Sequence, residues 1–449
     1  MTKVMNTRRL ILSSGIANTF EWYDYALFGH FAPIIGQKFF PDADPSASLL
    51  YAFLAFAIGY LMRPIGGIFF GILGDRFGRR AALSAAVVCM SIPTVIMGLL
   101  PTYDSIGVTA TTLMICVRML QGLSMGGALT GSISFVIEHT TKKHRGFTGS
   151  IAMSGICIGI LLGSTASYIV KSTLSVEQFE EWGWRLPFLI GVLIMFAGFY
   201  IKNYTEETPL FEQIKDSGNI VRSPFKEVFK NHWADMLVSI LINSTGSVIF
   251  YLQAIYLMSY LQVNRHFSES EVTNLVNICY IIMAFVTLLT GYLSDLIGRK
   301  KIFTIILIII IVATPTLINI CETGDFAAVI IAQIILSILA AAYIGPEPAL
   351  QAEFYPTNVR NTALSISYNT AVSLFGGTTP YALGLLVHHT GKFTSCIYYI
   401  VGCAVISLIA LYFYKDRSME SIIDESTEKP GTDKMFTDEK GQMASEYSR

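Results

Sequence analysis

The chain has 449 residues, 53% of them hydrophobic and only 14% charged, with a mean hydropathy of +0.54. Soluble domains carry about 25% charged residues, so this composition excludes a soluble enzyme and a disordered chain, and it is that of a membrane protein. A formal net charge of −1 offers nucleic acid no general attraction. The seven cysteines sit mostly inside apolar runs, without a CxxC or a Cys/His cluster, and read as small hydrophobes.

A membrane-spanning helix needs about 20 mostly apolar residues. Such runs fall at 12–37, 47–72, 81–100, 107–137, 146–170, 185–203, 234–260, 271–293, 302–320, 325–349, 360–388 and 393–414. The expected fold class is therefore an all-α membrane protein of twelve spans. The first run follows Lys3, Arg8 and Arg9, carries acids within it and has no persuasive cleavage site, so it reads as a retained span. With both termini in the cytoplasm, twenty of the 31 Lys and Arg residues face inward and four outward, as the positive-inside rule requires.

The segment 71–80 (GILGDRFGRR) follows span 2, and 291–300 (GYLSDLIGRK) follows span 8. They match at a constant offset of 220. Gly71, Asp75, Gly78 and Arg79 thus correspond to Gly291, Asp295, Gly298 and Arg299. Two equivalent halves follow: 1–203 and 234–414, joined by a polar linker at 204–233, with a tail at 415–449 that reads as disordered. Parallel halves around a midplane site are a transporter architecture. Each motif is a tight inward turn, in which the Asp would accept from Arg or from a helix N-terminus.

Ionisable groups inside a span are costly and demand a reason. Glu21 and Asp24 lie about 60° apart on one helix face, roughly 13–18 Å from the inner edge of span 1. Arg118 lies roughly 15 Å from the outer edge of span 4. At matching depth, the three form either a proton-responsive network or a permanent ion pair between spans 1 and 4. One acid of the pair would bind a proton outside and release it inside, freeing Arg118 for a substrate carboxylate. Which acid does so stays open, because the pair titrates together. Trp22 and Tyr25 beside these acids would either cradle a quaternary ammonium or simply pack. Asn243, Tyr251 and Gln253 in span 7, with Tyr368 and Asn369 in span 11, are candidate substrate-binding groups. Arg63 is expected to be structural near the inner end of span 2, and Glu138, Asp235 and Glu347 to be gate or interface charges. His30 reads as packing, and Gly155, Gly159 and Gly163 in span 5 as close helix approach.

The loop 71–80 resembles the signature of the major facilitator superfamily, and 113–122 (LMICVRMLQG) resembles its span-4 motif. The segments 18–24 (NTFEWYD), 63–67 (RPIGG), 184–188 (WRLPF), 206–209 (EETP), 353–360 (EFYPTNVR) and 376–380 (GGTTP) are similar to the metabolite:proton symporter branch, which includes proline/betaine, shikimate, 2-oxoglutarate and citrate transporters. The resemblance runs from about 13 to 414. Two departures stand out: Ala128 where many members carry Glu, and a tail without a sustained heptad repeat. The resemblance implies a multi-pass protein of a bacterial inner membrane that imports a small carboxylate-bearing metabolite with protons, with a zwitterion such as proline or betaine slightly favoured. The alternatives are a dicarboxylate, tricarboxylate or shikimate symporter, an exporter, a channel or a non-transporting sensor. No Walker loop, GxSxG or HExxH occurs, so no enzyme activity is expected. The expected energy source is the proton gradient, with no cofactor, and the expected functional unit is a single chain.

Overall fold

The computed structural model describes residues 7–42 and 45–416. The expectation for the tail falls outside the described residues beyond 416. Among those described, eleven helices are long and apolar enough to cross a membrane. In the numbering of the runs above they are span 2 (Tyr51–Phe77), 3 (Arg79–Leu99), 4 (Val108–His139), 5 (Lys142–Thr173), 6 (Gly183–Tyr204), 7 (Trp233–Gln262), 8 (Ser270–Ile297), 9 (Arg299–Thr323), 10 (Phe326–Glu353), 11 (Arg360–Thr390) and 12 (Phe393–Phe413). Span 1 (Thr7–Phe39) is 33 residues long, but Asn18, Glu21 and Asp24 within it dilute its apolar character. It packs into the bundle with the rest, chiefly along span 5.

The two halves meet where span 5 lies on span 8 and span 2 on span 11, the pairs that a two-fold relation between repeats would exchange. Glycine makes the closest approaches. A Cβ on Gly159 would stand 2.2 Å from the Thr19 carbonyl oxygen, so only glycine lets span 5 rest directly on the backbone of span 1. Spans 7 and 11 each carry a π-helical turn, at Leu252–Tyr256 and Val372–Gly376. Such turns widen a helix locally and recur at functional sites.

Two boundaries differ from the sequence reading in ways that matter. Span 2 runs on to Phe77 and span 10 to Glu353, so Arg63 and Glu347 sit deeper in the bundle than their places near the expected inner ends. The linker, read as a polar loop, holds two short helices, Pro209–Asp216 and Pro224–Asn231. Each opens with a proline in its first turn, where the missing N–H costs nothing.

Candidate functional site

The repeated loops form a double clasp across one end of the bundle. The Asp75 carboxylate accepts from the backbone N–H groups of Asn361 (3.1 Å) and Thr362 (2.8 Å), at the N-terminus of span 11 in the other half. Asp295 does the same with Gly146 and Phe147, both at 2.8 Å, near the start of span 5. Each aspartate therefore sits on the positive end of a helix from the opposite half. Each is also paired four residues along its own chain, Asp75 to Arg79 at 3.1 Å and Asp295 to Arg299 at 2.8 Å.

A second layer repeats the symmetry. Glu138 takes Arg79 at 3.0 Å and Arg360 at 2.8 Å, and the Thr208 hydroxyl donates to it at 2.6 Å. Glu353 takes Arg299 at 3.3 Å and Arg145 at 3.9 Å. Gly78 and Gly298 turn the chain with φ of 107° and 91°, a region that disfavours side chains. A Cβ on Gly78 would lie 2.1 Å from a Glu207 carboxylate oxygen. That carboxylate caps the start of span 3, accepting from the Arg79 N–H at 2.9 Å and the Arg80 N–H at 3.2 Å. Burial pushes the Glu207 carboxyl up, while the Thr208 and Arg80 N–H groups and the Arg79 charge pull it back down.

Above the clasp, the charges of span 1 divide between two neighbours. Asp24 accepts from the Gln121 amide at 2.9 Å and lies 3.8 Å from Arg118. Gln121 in turn accepts from Arg118 at 2.7 Å and donates to the Thr94 hydroxyl at 3.1 Å. The Arg118 guanidinium is stacked 3.4 Å above the Phe28 ring centroid, with Nε and Nη2 unbonded. Glu21 turns away from this group. It is fully buried, neither carboxylate oxygen has a hydrogen-bond partner, and the cation whose field reaches it is Arg63. Arg63 donates to Asn369 at 3.3 Å and to the Tyr60 hydroxyl at 3.5 Å. The Tyr60 hydroxyl is bonded to that of Tyr251 in the other half.

Arg63 faces a partly open cavity between the halves, walled by Trp22, Asn243, Phe250, Tyr251, Glu347 and Tyr368 among others. About 30 Å³ of it is open to the centre of a water molecule, room for roughly two waters. On the side away from the clasp, Tyr60 meets Tyr251 edge-on, with ring centroids 6.1 Å apart, and Trp22 meets Phe250 at 5.6 Å.

Of the expected substrate groups, Trp22, Asn243, Tyr251 and Tyr368 line this cavity. Tyr25 joins the aromatic cluster behind Trp22, at 4.9 Å. Asn369 is occupied by the Gly126 and Ser365 carbonyls, both at 2.8 Å. Gln253 lies toward Cys279 of span 8. The cation in the wall is Arg63, not Arg118, and the acid is Glu347; spans 2 and 10 run on past the expected ends, so both residues lie deeper than the sequence reading placed them. Glu138 does hold the clasp, whereas Asp235 pairs with His232 at 3.6 Å, 42% exposed. Gln121, Tyr60 and Arg63 were not singled out for the site from sequence. Gln121 carried a signal, since three residues after Arg118 place it on the same helix face.

Residues 10–223 match the family described as "Sugar (and other) transporter", and 248–438 that described as "Major Facilitator Superfamily". The chain is 33% identical over 421 residues to the glycine betaine/proline/ectoine/pipecolic acid transporter OusA of Dickeya dadantii, covering 91% of this chain and 83% of that protein. It is 35% identical over 415 residues to the proline/betaine transporter of Salmonella typhimurium, covering 90% and 82%. Among solved structures, the MFS proton:xylose symporter XylE bound to 6-bromo-6-deoxy-D-glucose shares its fold, with a TM-score of 0.76 at 17% identity over 91% of this chain and 96% of that one.

Proposed function

The chain belongs to the major facilitator superfamily, in its metabolite:proton symporter branch, and is a transporter rather than an enzyme; from that premise we propose that it imports a small zwitterionic solute of the proline and betaine class together with protons. The observation that carries this reading is the central cavity, where one guanidinium, Arg63, stands among Trp22, Phe250, Tyr251 and Tyr368. A lone guanidinium suits one carboxylate, and aromatic walls suit a quaternary or cyclic ammonium. The relatives named for glycine betaine, proline, ectoine and pipecolic acid agree with that pattern.

The coupling follows from charge balance. With Glu21 ionised, Arg63 has its counter-charge inside the protein. Protonation of Glu21 removes it, and Arg63 is then best neutralised by a substrate carboxylate. Proton and solute thus favour each other's binding, as symport requires. Release of both toward the cytoplasm leaves the Glu21 carboxylate once more as the counter-charge to Arg63. Asp24, Gln121 and Arg118 form a second polar network one turn away on span 1. It serves as the other half of the acid pair and holds spans 1 and 4 in register. The cytoplasmic clasp alternates between made and broken, exposing the cavity to one side at a time. A single chain suffices as the working unit, in a bacterial inner membrane with both termini in the cytoplasm.

Uptake of labelled glycine betaine and proline into proteoliposomes, with Arg63→Lys as the comparison, tests the reading. A charge-assisted contact to a carboxylate is worth about 1.5–3 kcal/mol, so the substitution raises KM by about 10- to 150-fold. If neither solute enters while dicarboxylates do, the substrate class is wrong. If Arg63→Lys leaves KM unchanged, Arg63 does not hold the carboxylate.

A further inference from the structure

Glu347 takes no part in the exchange between Glu21 and Arg63, yet it stands in the wall of the same cavity. It follows Gly345 and Pro346, where span 10 breaks and restarts as Glu347–Glu353. There it lines the cavity together with residues of spans 7 and 11. It is 2% exposed, and its Oε1 has no hydrogen-bond partner.

Its isolation sets it apart from the other acids buried in the bundle. Asp24, Asp75, Glu138, Asp295 and Glu353 all lie in ion pairs, and Glu21 feels Arg63. No ion pair among the described residues includes Glu347. Around it are Tyr343 on its own span, Tyr368 on span 11 and Gly246 on span 7, while Arg63 and Trp22 belong to the other half. Gly246 lets span 7 pack against the Tyr343 ring, 2.9 Å from where a Cβ would stand, and such a Cβ would lie 3.4 Å from Glu347 Oε2. A buried carboxylate without a counter-charge is costly in a low-dielectric interior. A cation brought in by the solute removes that cost.

We propose that Glu347 is the anionic half of a zwitterion site divided between the two halves of the bundle: Arg63 on span 2 takes the solute's carboxylate, and Glu347 on span 10, beside Trp22 and Tyr368, takes its ammonium head. The proposal rests on the reading that the substrate is a small zwitterion, and it adds the residue that selects the cationic end. A solute with both charges bridges the halves; one with only a carboxylate engages the first half alone. That makes the ammonium group a condition for closing the cavity as well as for tight binding.

The test is competition against labelled glycine betaine uptake in proteoliposomes. The competitors are unlabelled glycine betaine and 3,3-dimethylbutanoate, which has a quaternary carbon in place of the quaternary nitrogen. The wild-type protein prefers the betaine by about 10-fold or more, the discrimination a close charge pair provides. Glu347→Gln keeps the shape and loses the charge: the preference falls to about 3-fold or less, while an inward proton gradient still drives the remaining uptake. Glu347→Asp keeps the charge and most of the preference. Glu347→Met leaves no unsatisfied polar group, so it carries the same expectation should the glutamine form fail to fold. Undiminished preference in the neutral variants overturns the proposal. So does a neutral variant that exchanges solute across the bilayer but no longer accumulates it with the gradient, since Glu347 would then be the proton site. A wild-type protein that moves neither betaine nor proline overturns the substrate reading itself, before any variant is compared.

Discussion

Asp75→Asn should open the clasped end of the bundle. The Asp75 carboxylate holds two backbone N–H groups of the opposite half, at 3.1 and 2.8 Å, and lies 3.1 Å from Arg79. Asparagine keeps one acceptor oxygen and loses the charge. The loss is one charge-assisted hydrogen bond, about 1.5–3 kcal/mol, and the attraction to a helix N-terminus, about 0.3–1 kcal/mol. Arg79 is not orphaned, because Glu138 still holds it at 3.0 Å. The sum, about 2–4 kcal/mol, shifts the balance of closed and open forms by roughly 30- to 1,000-fold. Spin labels at Lys143→Cys and Lys301→Cys, both exposed at the clasped end and one in each half, read that shift as a longer distance population. The native cysteines must first be removed, since Cys89 and Cys116 are exposed. Asp295→Asn, which meets the N–H groups of Gly146 and Phe147, should shift the same distance the same way. Unchanged distributions in both variants would refute the idea that these two carboxylates hold the halves together.

Three further outcomes follow from the bundle. Glu21→Gln should abolish accumulation driven by a proton gradient while leaving solute exchange across the bilayer; retained accumulation would remove Glu21 from the proton path. Gln121→Leu strips a donor from Asp24 and an acceptor from Arg118. It should lower stability by about 2–4 kcal/mol, seen as a fall in Tm of the purified protein, and an unchanged Tm would show that the network holds nothing. Gly159→Leu would drive its side chain into the Thr19 carbonyl, 2.2 Å from the Cβ position. A cost of about 1–3 kcal/mol or more is expected, measurable as a lower Tm with spans 1 and 5 forced apart.

The span count and the two halves were legible because hydrophobic length and a motif repeated at 220 residues depend on local sequence alone. Depth arithmetic brought Asp24 and Arg118 to the same level, and they lie 3.8 Å apart. The same arithmetic could not separate Glu21 from Asp24. A rotation of about 60° around span 1 is enough to aim one acid toward span 2 and the other toward span 4, and only the packing decides which neighbour each one meets. Arg63 was placed wrongly because span 2 does not stop where its apolar run thins. It continues to Phe77, and five further residues of helix put Arg63 about 7 Å deeper from the helix end than expected. Glu347 was displaced in the same way by the extension of span 10. The acceptor role of Asp75 and Asp295 was readable, but not that the helix ends they cap belong to the other half, 286 and 149 residues away. The linker helix at Pro209–Asp216 had a local signal in Thr208, whose hydroxyl accepts from the Phe211 N–H at 3.2 Å.

Coupling of proton and zwitterion is tested most directly by watching the proton. Proteoliposomes with a pH-sensitive dye trapped inside, weakly buffered and without an imposed gradient, receive glycine betaine outside. The mechanism predicts a saturable acidification of the interior that needs the solute and disappears in Glu21→Gln. Solute entry with no accompanying change in internal pH would contradict it.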